Sequence, residues 1–411
     1  MYRAFLLSGV SFLLVFAPVA RGAVRIWSIT PVLLIELLLV FAWLWRVNNR
    51  VHSPQSTVHR KFARTEIDLP IALFVILAVV SAFLSVYKHD SIYAVMKLFG
   101  YVGVYYLVVN EFDREMIKRL LNIVIFTGAA LSLCGIMQYA DLLPREWWVP
   151  KEFLAATYVN HNHFAGYLEL VIPVVIGMIV NGVRSRELGV RRKEIVLVMA
   201  LVMMMAAFIL AQSRGAWCSL GFAVLVMIAI LGKSRSGRGR HFFMIFVLLF
   251  ITFLSIYLNI DLITQRIDQP AGEASLAIRM KIWRGSMEML ARNPFTGTGI
   301  GTFIWAFPRF RPPELQVMAN FAHNDYLQMA AEMGLAAPAI MLWIFISAIR
   351  RGAAKGASHP VRLGCAMGAL SLAIHGITDF NFHITANMLL FTVYLAVIMK
   401  GRAGNGGTDN A

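Results

Sequence analysis

Charge is scarce in this chain, and negative charge is the scarcer kind. Only 15% of its 411 residues are Asp, Glu, Lys or Arg, and 38 basic residues face 22 acidic ones. Cysteine is scarcer still: Cys134, Cys218 and Cys365 are the whole set. Each sits in an apolar run and no spacing pairs two of them, so they form neither a disulfide framework nor a metal motif. They read as small core residues. No internal repeat is visible, which argues against a transporter built from inverted halves. No basic face interleaved with aromatics appears on a soluble module, so nucleic acid is not an expected partner. The net charge of +16 lies mostly in loops between apolar runs, where membrane lipids with anionic headgroups are the natural counterpart.

What the chain has in abundance is apolar length. It is 59% hydrophobic, with a mean hydropathy of +0.67. A soluble domain is about half apolar and lacks repeated runs of about eighteen or more. Here apolar spans fall at roughly 4–20, 26–45, 67–87, 92–109, 120–139, 164–183, 195–212, 216–232, 242–258, 335–349, 363–378 and 388–399. The expected fold class is an all-α polytopic membrane protein with about twelve transmembrane helices. Arg3 followed by the Ala4–Ala17 run has the look of a signal peptide. Pro18 and Arg21 stand where cleavage wants small residues, so an uncleaved first span is expected.

One long stretch, 259–334, is too polar to cross a bilayer. It divides the chain into a first block of spans (1–258), a long, partly helical loop (259–334) and a last block (335–400). A Gly-rich polar tail (401–411), expected to be disordered, follows. Arg46, Arg50, Arg60, Arg114, Lys118, Arg184, Arg191, Lys233, Arg350 and their basic neighbours all fall on one side if spans alternate. The opposite short loops hold only Arg21, Arg25, Lys88, Arg145, Lys151 and Arg214. The positive-inside rule then puts both termini in the cytoplasm and the 259–334 loop outside.

Within that loop, Leu276–Arg292 reads as a helix stopped by Asn293-Pro294. At about 100° per residue, Lys281, Arg284, Glu288 and Arg292 form a solvated stripe. Arg279 falls nearly opposite, among Ile282, Trp283, Ser286 and Leu290. An arginine there is costly unless its charge is met. An internal carboxylate, water reached along the stem, or a phosphate would each meet it. Arg214 lies between Ser213 and Gly215 in a tight turn between two spans. It reads as an interfacial anchor or as a second clamp on the same anion.

His323 opens the run His323-Asn324-Asp325-Tyr326. An imidazole, with an ordinary pKa of about 6.5, is the natural base for activating a hydroxyl. Asn324 and Asp325 suit either a helix cap or a substrate contact. A second polar knot, Asn160-His161-Asn162-His163, falls on the same outer side. Its spacing does not match a zinc site, and the Asn/His mixture suits sugar hydroxyls better. No metal or cofactor is expected. Glu169 reads as a buried, hydrogen-bonded carboxyl. Glu36, Lys97, His375 and Asp379 are ionisable groups within or at the ends of spans. Such groups flag function by default, but all four read here as structural. The Gly297–Gly301 run lacks the preceding strand and the lysine of a phosphate loop, so a flexible turn is expected.

Four segments together resemble the O-antigen ligase and O-antigen polymerase superfamily of bacterial inner membranes. They are Gln212-Ser213-Arg214-Gly215-Ala216, Ile278–Trp283, Asn293–Gly299 and Ala322–Leu327. The Asn160–Gly166 run is similar to one branch, and the resemblance covers roughly 155–385. It implies a helical fold similar to the GT-C glycosyltransferases, in the inner (cytoplasmic) membrane, with a periplasmic active face. It implies a metal-independent, inverting glycosyltransferase that takes glycan from undecaprenyl diphosphate. A ligase passes the glycan to the lipid A core; a polymerase passes it to another lipid-linked repeat. On this sequence the scheme makes Arg214 and Arg279 diphosphate binders and His323 the base. Asn160, His161, Asn162, Asn324 and Asp325 are the further substrate contacts expected. Two other classes compete. A transporter or flippase for an anionic lipid or solute calls for paired midplane charges and internal symmetry. A non-catalytic scaffold of a polysaccharide-export complex would tolerate substitution at every residue named.

Overall fold

The computed structural model describes residues 1–51, 62–143, 153–185, 190–232, 270–354, 356 and 358–400. The expected span at 242–258, the start of the polar loop and the 401–411 tail lie outside the described residues. Among the described residues the protein is helical and contains no strand.

Hydropathy dictates the helices. The first block gives α1 Tyr2–Val19, α2 Ile26–Val51, α3 Asp68–Phe83, α4 Lys88–Glu111, α5 Arg114–Tyr139, α6 His161–Ser185, α7 Val190–Leu210 and α8 Arg214–Gly232. The polar stretch contributes α9 Pro270–Arg292 and α10 Asp325–Met333. The last block is α11 Ala336–Ala353, α12 Pro360–His375 and α13 Thr385–Met399. Eight helices among the described residues are long and apolar enough to cross a bilayer: α1, α2, α4 to α8 and α11. The shorter α3 and α13 are also apolar. The chain is a multi-pass membrane protein.

Burial singles out α6 as the central helix. Its apolar stretch is 94% buried, whereas no other long span exceeds 50%. Helix α12 lies directly against it. A Cβ on Gly364 would stand 2.4 Å from the Pro173 carbonyl oxygen, and one on Gly368 would stand 2.7 Å from that of Leu170. Only hydrogen fits there, so the two backbones approach closely, as small residues permit between membrane helices. Helix α12 also packs on α8, α11 and α13. Its C-terminal end is therefore held from several sides, and there the candidate site forms.

Helix α9 carries its polarity as the sequence predicts. Arg284, Glu288 and Arg292 are exposed, while Ile282, Ser286 and Met289 are buried. Lys281 departs from the stripe: it is half-buried, and its Nζ donates to the Glu314 carbonyl at 3.3 Å. The buried face of α9 packs on α10. The Gly297–Gly301 turn is a correction to the sequence reading, because it is pinned rather than flexible. Glu332 accepts the Gly301 N–H at 2.7 Å and the Phe303 N–H at 3.0 Å. A buried carboxylate needs such donors, and the turn's free amides supply them.

Candidate active site

Asp379 gathers the site. It follows α12, is 2% exposed, and accepts the Phe380 N–H on Oδ1 at 2.8 Å. The same oxygen faces His163 Nε2 at 3.7 Å and His323 Nδ1 at 3.8 Å. Its other oxygen faces Arg279 Nη2 at 4.0 Å. Arg279 is anchored next door, where its Nη1 donates to the Thr378 carbonyl at 2.7 Å. The ion pairs are longer than hydrogen bonds. In active sites such contacts tighten when substrate arrives. Burial alone would raise the Asp379 carboxyl. The His163 and His323 imidazoles outweigh that, helped by the charge of His375, and hold it well below the usual carboxylate range. Asp379 was read from sequence as a structural residue at a span end. Its surroundings add to that reading, because three cationic or imidazole side chains face its two oxygens.

An aromatic pair orders the imidazoles. His163 and His323 both meet the Phe380 ring edge-on, at 4.6 and 4.8 Å between centroids. Phe321 stacks on Phe380 at 4.2 Å and 10°. His323 turns Nδ1 toward Asp379 without reaching hydrogen-bond distance. Its backbone is bent to do so: φ is +51°, a left-handed conformation that costs a non-glycine residue energy. The flanks hold it. The Ala322 N–H donates to Gln328 Oε1 at 2.9 Å, and the Ala322 carbonyl accepts Trp283 Nε1 at 2.9 Å. The Asp325 N–H donates to the Gly376 carbonyl at 2.8 Å.

Arg214 opens α8 and is exposed. Its neighbour Gly215 lies against the other residues of the site: a Cβ there would stand 2.9 Å from Thr378 Oγ1 and 3.0 Å from the His375 ring. Arg214 thus starts its helix beside the residue that anchors Arg279. Asn324 takes the capping role. Its Oδ1 caps α10 by accepting the Leu327 N–H at 3.0 Å. Asp325 is fully buried; its Oδ1 pairs with His383 Nδ1 at 2.7 Å, and its Oδ2 accepts the Phe382 N–H at 3.2 Å. Burial pushes its carboxyl up, against the opposing pull of His383. The oxygens of both residues are engaged in these local bonds.

In the earlier knot, Asn160 Oδ1 accepts the Asn162 N–H at 2.8 Å. His161 Nδ1 bonds the Ala211 carbonyl at 2.6 Å and its ring lies on Phe153. His161 ties the start of α6 to the turn before Arg214, and it is His163 that reaches Asp379. Glu169 is the buried, bonded carboxyl the sequence suggested. It accepts Ser219 Oγ at 2.7 Å and Ser371 Oγ at 2.6 Å, and pairs with His375 Nδ1 at 2.6 Å.

Residues 199–344 match the family model described as O-antigen ligase. The matched segment, 146 of the 411 residues, is similar to that family. No curated protein matches the chain in sequence. The matched segment contains Arg214, Arg279, His323, Asn324 and Asp325. Asp379 and His383 follow it, and Asn160–His163 precede it, so folding brings these to it from both flanks.

Beside the Asp379 cluster opens a cavity of about 1100 Å³. His163, Phe380, Phe321 and His383 form part of its wall. From there it runs along α4 from His89 to Tyr105, seventeen residues or about 24 Å of helix. Ile71, Phe74, Met341, Ile344 and Leu395 make its deeper wall apolar.

Proposed function

We propose that this protein transfers a glycan from a polyprenyl-diphosphate carrier to an acceptor hydroxyl at the periplasmic face of the bacterial inner membrane. The O-antigen ligase match indicates glycan transfer of the ligase or polymerase kind. The observation that carries the finer reading is the meeting of Arg279 and His323 at the oxygens of Asp379.

In the proposed step, His323 Nε2 takes the acceptor's hydroxyl proton as the oxygen attacks the anomeric carbon. The bond from that carbon to the diphosphate oxygen breaks, and its electron pair stays on the diphosphate. Attack opposite the leaving group inverts the anomeric centre. Arg279, with Arg214, balances the anion, each charge-assisted contact contributing about 1.5–3 kcal/mol. Preorganised guanidinium groups supply the charge stabilisation that a metal supplies elsewhere. Asp379 steadies the imidazolium that forms. The acceptor is the harder partner, since a sugar hydroxyl is a weak nucleophile; a placed base accelerates it about a hundredfold or more. Undecaprenyl diphosphate is the carrier proposed. The lipid A core serves as acceptor in a ligase, another lipid-linked repeat in a polymerase. The same reading includes a GT-C-like arrangement with both termini cytoplasmic.

The test is complementation of a deletion strain. Wild type restores the full-length glycan. His323→Ala and Arg279→Ala accumulate in the membrane and do not. Loss of a ligase leaves bare core and polymer on its carrier; loss of a polymerase leaves a single repeat unit attached. Full glycan from both variants overturns the mechanism.

A further inference from the structure

The turn after α12 carries a second imidazole–carboxylate pair, closer than the first. His383 Nδ1 lies 2.7 Å from Asp325 Oδ1, against 3.8 Å for His323 and Asp379. Asp325 is fully buried, and its other oxygen is held by the Phe382 N–H. The His383 side chain is 24% exposed, and its Nε2 makes no hydrogen bond among the described residues. The Glu169–His375 pair nearby provides the contrast: both side chains are sealed, at 0% and 2% exposure, as befits a purely structural pair. His383 instead lines the large cavity together with Asn160, Asn320 and Phe321. The two stacked rings stand between the pairs, His383 against Phe321 at 5.3 Å and His323 against Phe380 at 4.8 Å.

A buried carboxylate that accepts Nδ1–H fixes the tautomer and leaves a lone pair on Nε2. A lone pair on a cavity wall calls for a hydrogen-bond donor. Two amides on the same cavity's wall and the Phe321 ring beside His383 match the polar and the apolar contacts that a sugar ring presents. The cavity continues for about 24 Å along α4, which places Asp90 and Lys97 on its wall, while Ile71, Phe74, Met341, Ile344 and Leu395 supply the apolar surface on which a hydrocarbon chain can lie. We propose that His383, oriented by Asp325, is the hydrogen-bond acceptor of a second saccharide subsite. The subsite takes the hydroxyl-bearing head of a lipid-linked glycan whose hydrocarbon chain enters the cavity. This rests on the reading of the protein as a glycan transferase and adds the residue that recognises one of its glycan substrates. His383 binds; His323 remains the base.

The experiment uses membranes containing each full-length variant. The probe is the lipid fraction extracted from a strain lacking this protein, which retains the unreacted lipid-linked glycans. Titrating that fraction gives an apparent KM and a maximal rate. His383→Ala raises KM roughly threefold to tenfold, the loss of one neutral hydrogen bond, and keeps the maximal rate within about twofold of wild type. His383→Gln, whose Oε1 accepts a hydrogen bond, restores KM. His383→Leu fills the wall without an acceptor and resembles the alanine variant. Equal KM for the leucine and glutamine variants overturns the subsite, whatever the alanine variant does. A collapse of the maximal rate in His383→Ala as deep as in His323→Ala also overturns it, by making His383 part of the chemistry. Wild-type membranes that consume none of the fraction overturn the transferase reading itself, and the subsite with it.

Discussion

Asp379 is charged where burial argues against charge, and its neighbours decide the matter. Its lowered carboxyl pKa fixes a sign. The stability it contributes is fully present above the ordinary carboxylate pKa and is lost only as pH falls through the lowered folded value. Thermal unfolding of wild type and Asp379→Asn should therefore differ by a constant interval from about pH 5 to pH 8, narrowing below about pH 4. An interval that widens on acidification contradicts the assignment. Transfer by Asp379→Asn should fall by about a hundredfold or more, because His323 loses its orienting anion. Arg279 and His323 were legible in sequence as charge and imidazole in costly surroundings. Asp379 was not, because a carboxylate at a span end looks the same whether it faces lipid headgroups or three side chains. The pairing of Asp325 with His383 spans 58 residues, and no local pattern announces it.

Elements hold these residues in register. Asn324 caps α10, and the residue before it adopts the left-handed turn. Asn324→Ala should remove about 1 kcal/mol from the element, and Asn324→Asp should retain most of it. The measurement is the apparent Tm in detergent, read beside transfer activity, which falls further than stability does because His323 loses its posture. An Asn324→Ala protein with unchanged activity would show that the cap does not hold the base. In α12 the constraint is backbone against backbone. The added methyl of Gly364→Ala meets a carbonyl that cannot rotate away, so overpacking should cost about 1–3 kcal/mol and lower the Tm accordingly. Helix positions were legible from hydropathy, since each expected span within the described residues coincides with a helix. The close seam between α6 and α12 was not legible, because glycine in a membrane helix carries no label saying which neighbour it touches.

For the whole molecule, the orientation expected from the basic loops, with the site facing the periplasm, is a proposal open to direct test. Glu288 on the exposed face of α9 and Arg350 in the last turn of α11 test this. In a background with Cys134, Cys218 and Cys365 replaced by alanine, Glu288→Cys should react with a membrane-impermeant maleimide added to intact spheroplasts. Arg350→Cys should react only after the membrane is opened. The reverse pattern would put the chemistry in the cytoplasm. Arg279 rides on a helix that packs beside the bundle, whereas His323 and Asp379 hang from its floor. The proposed constellation is thus split between a foundation and a roof beam laid against it. Gentle warming should silence the protein while its buried spans are still intact, and cooling should let the beam settle back and the turnover return.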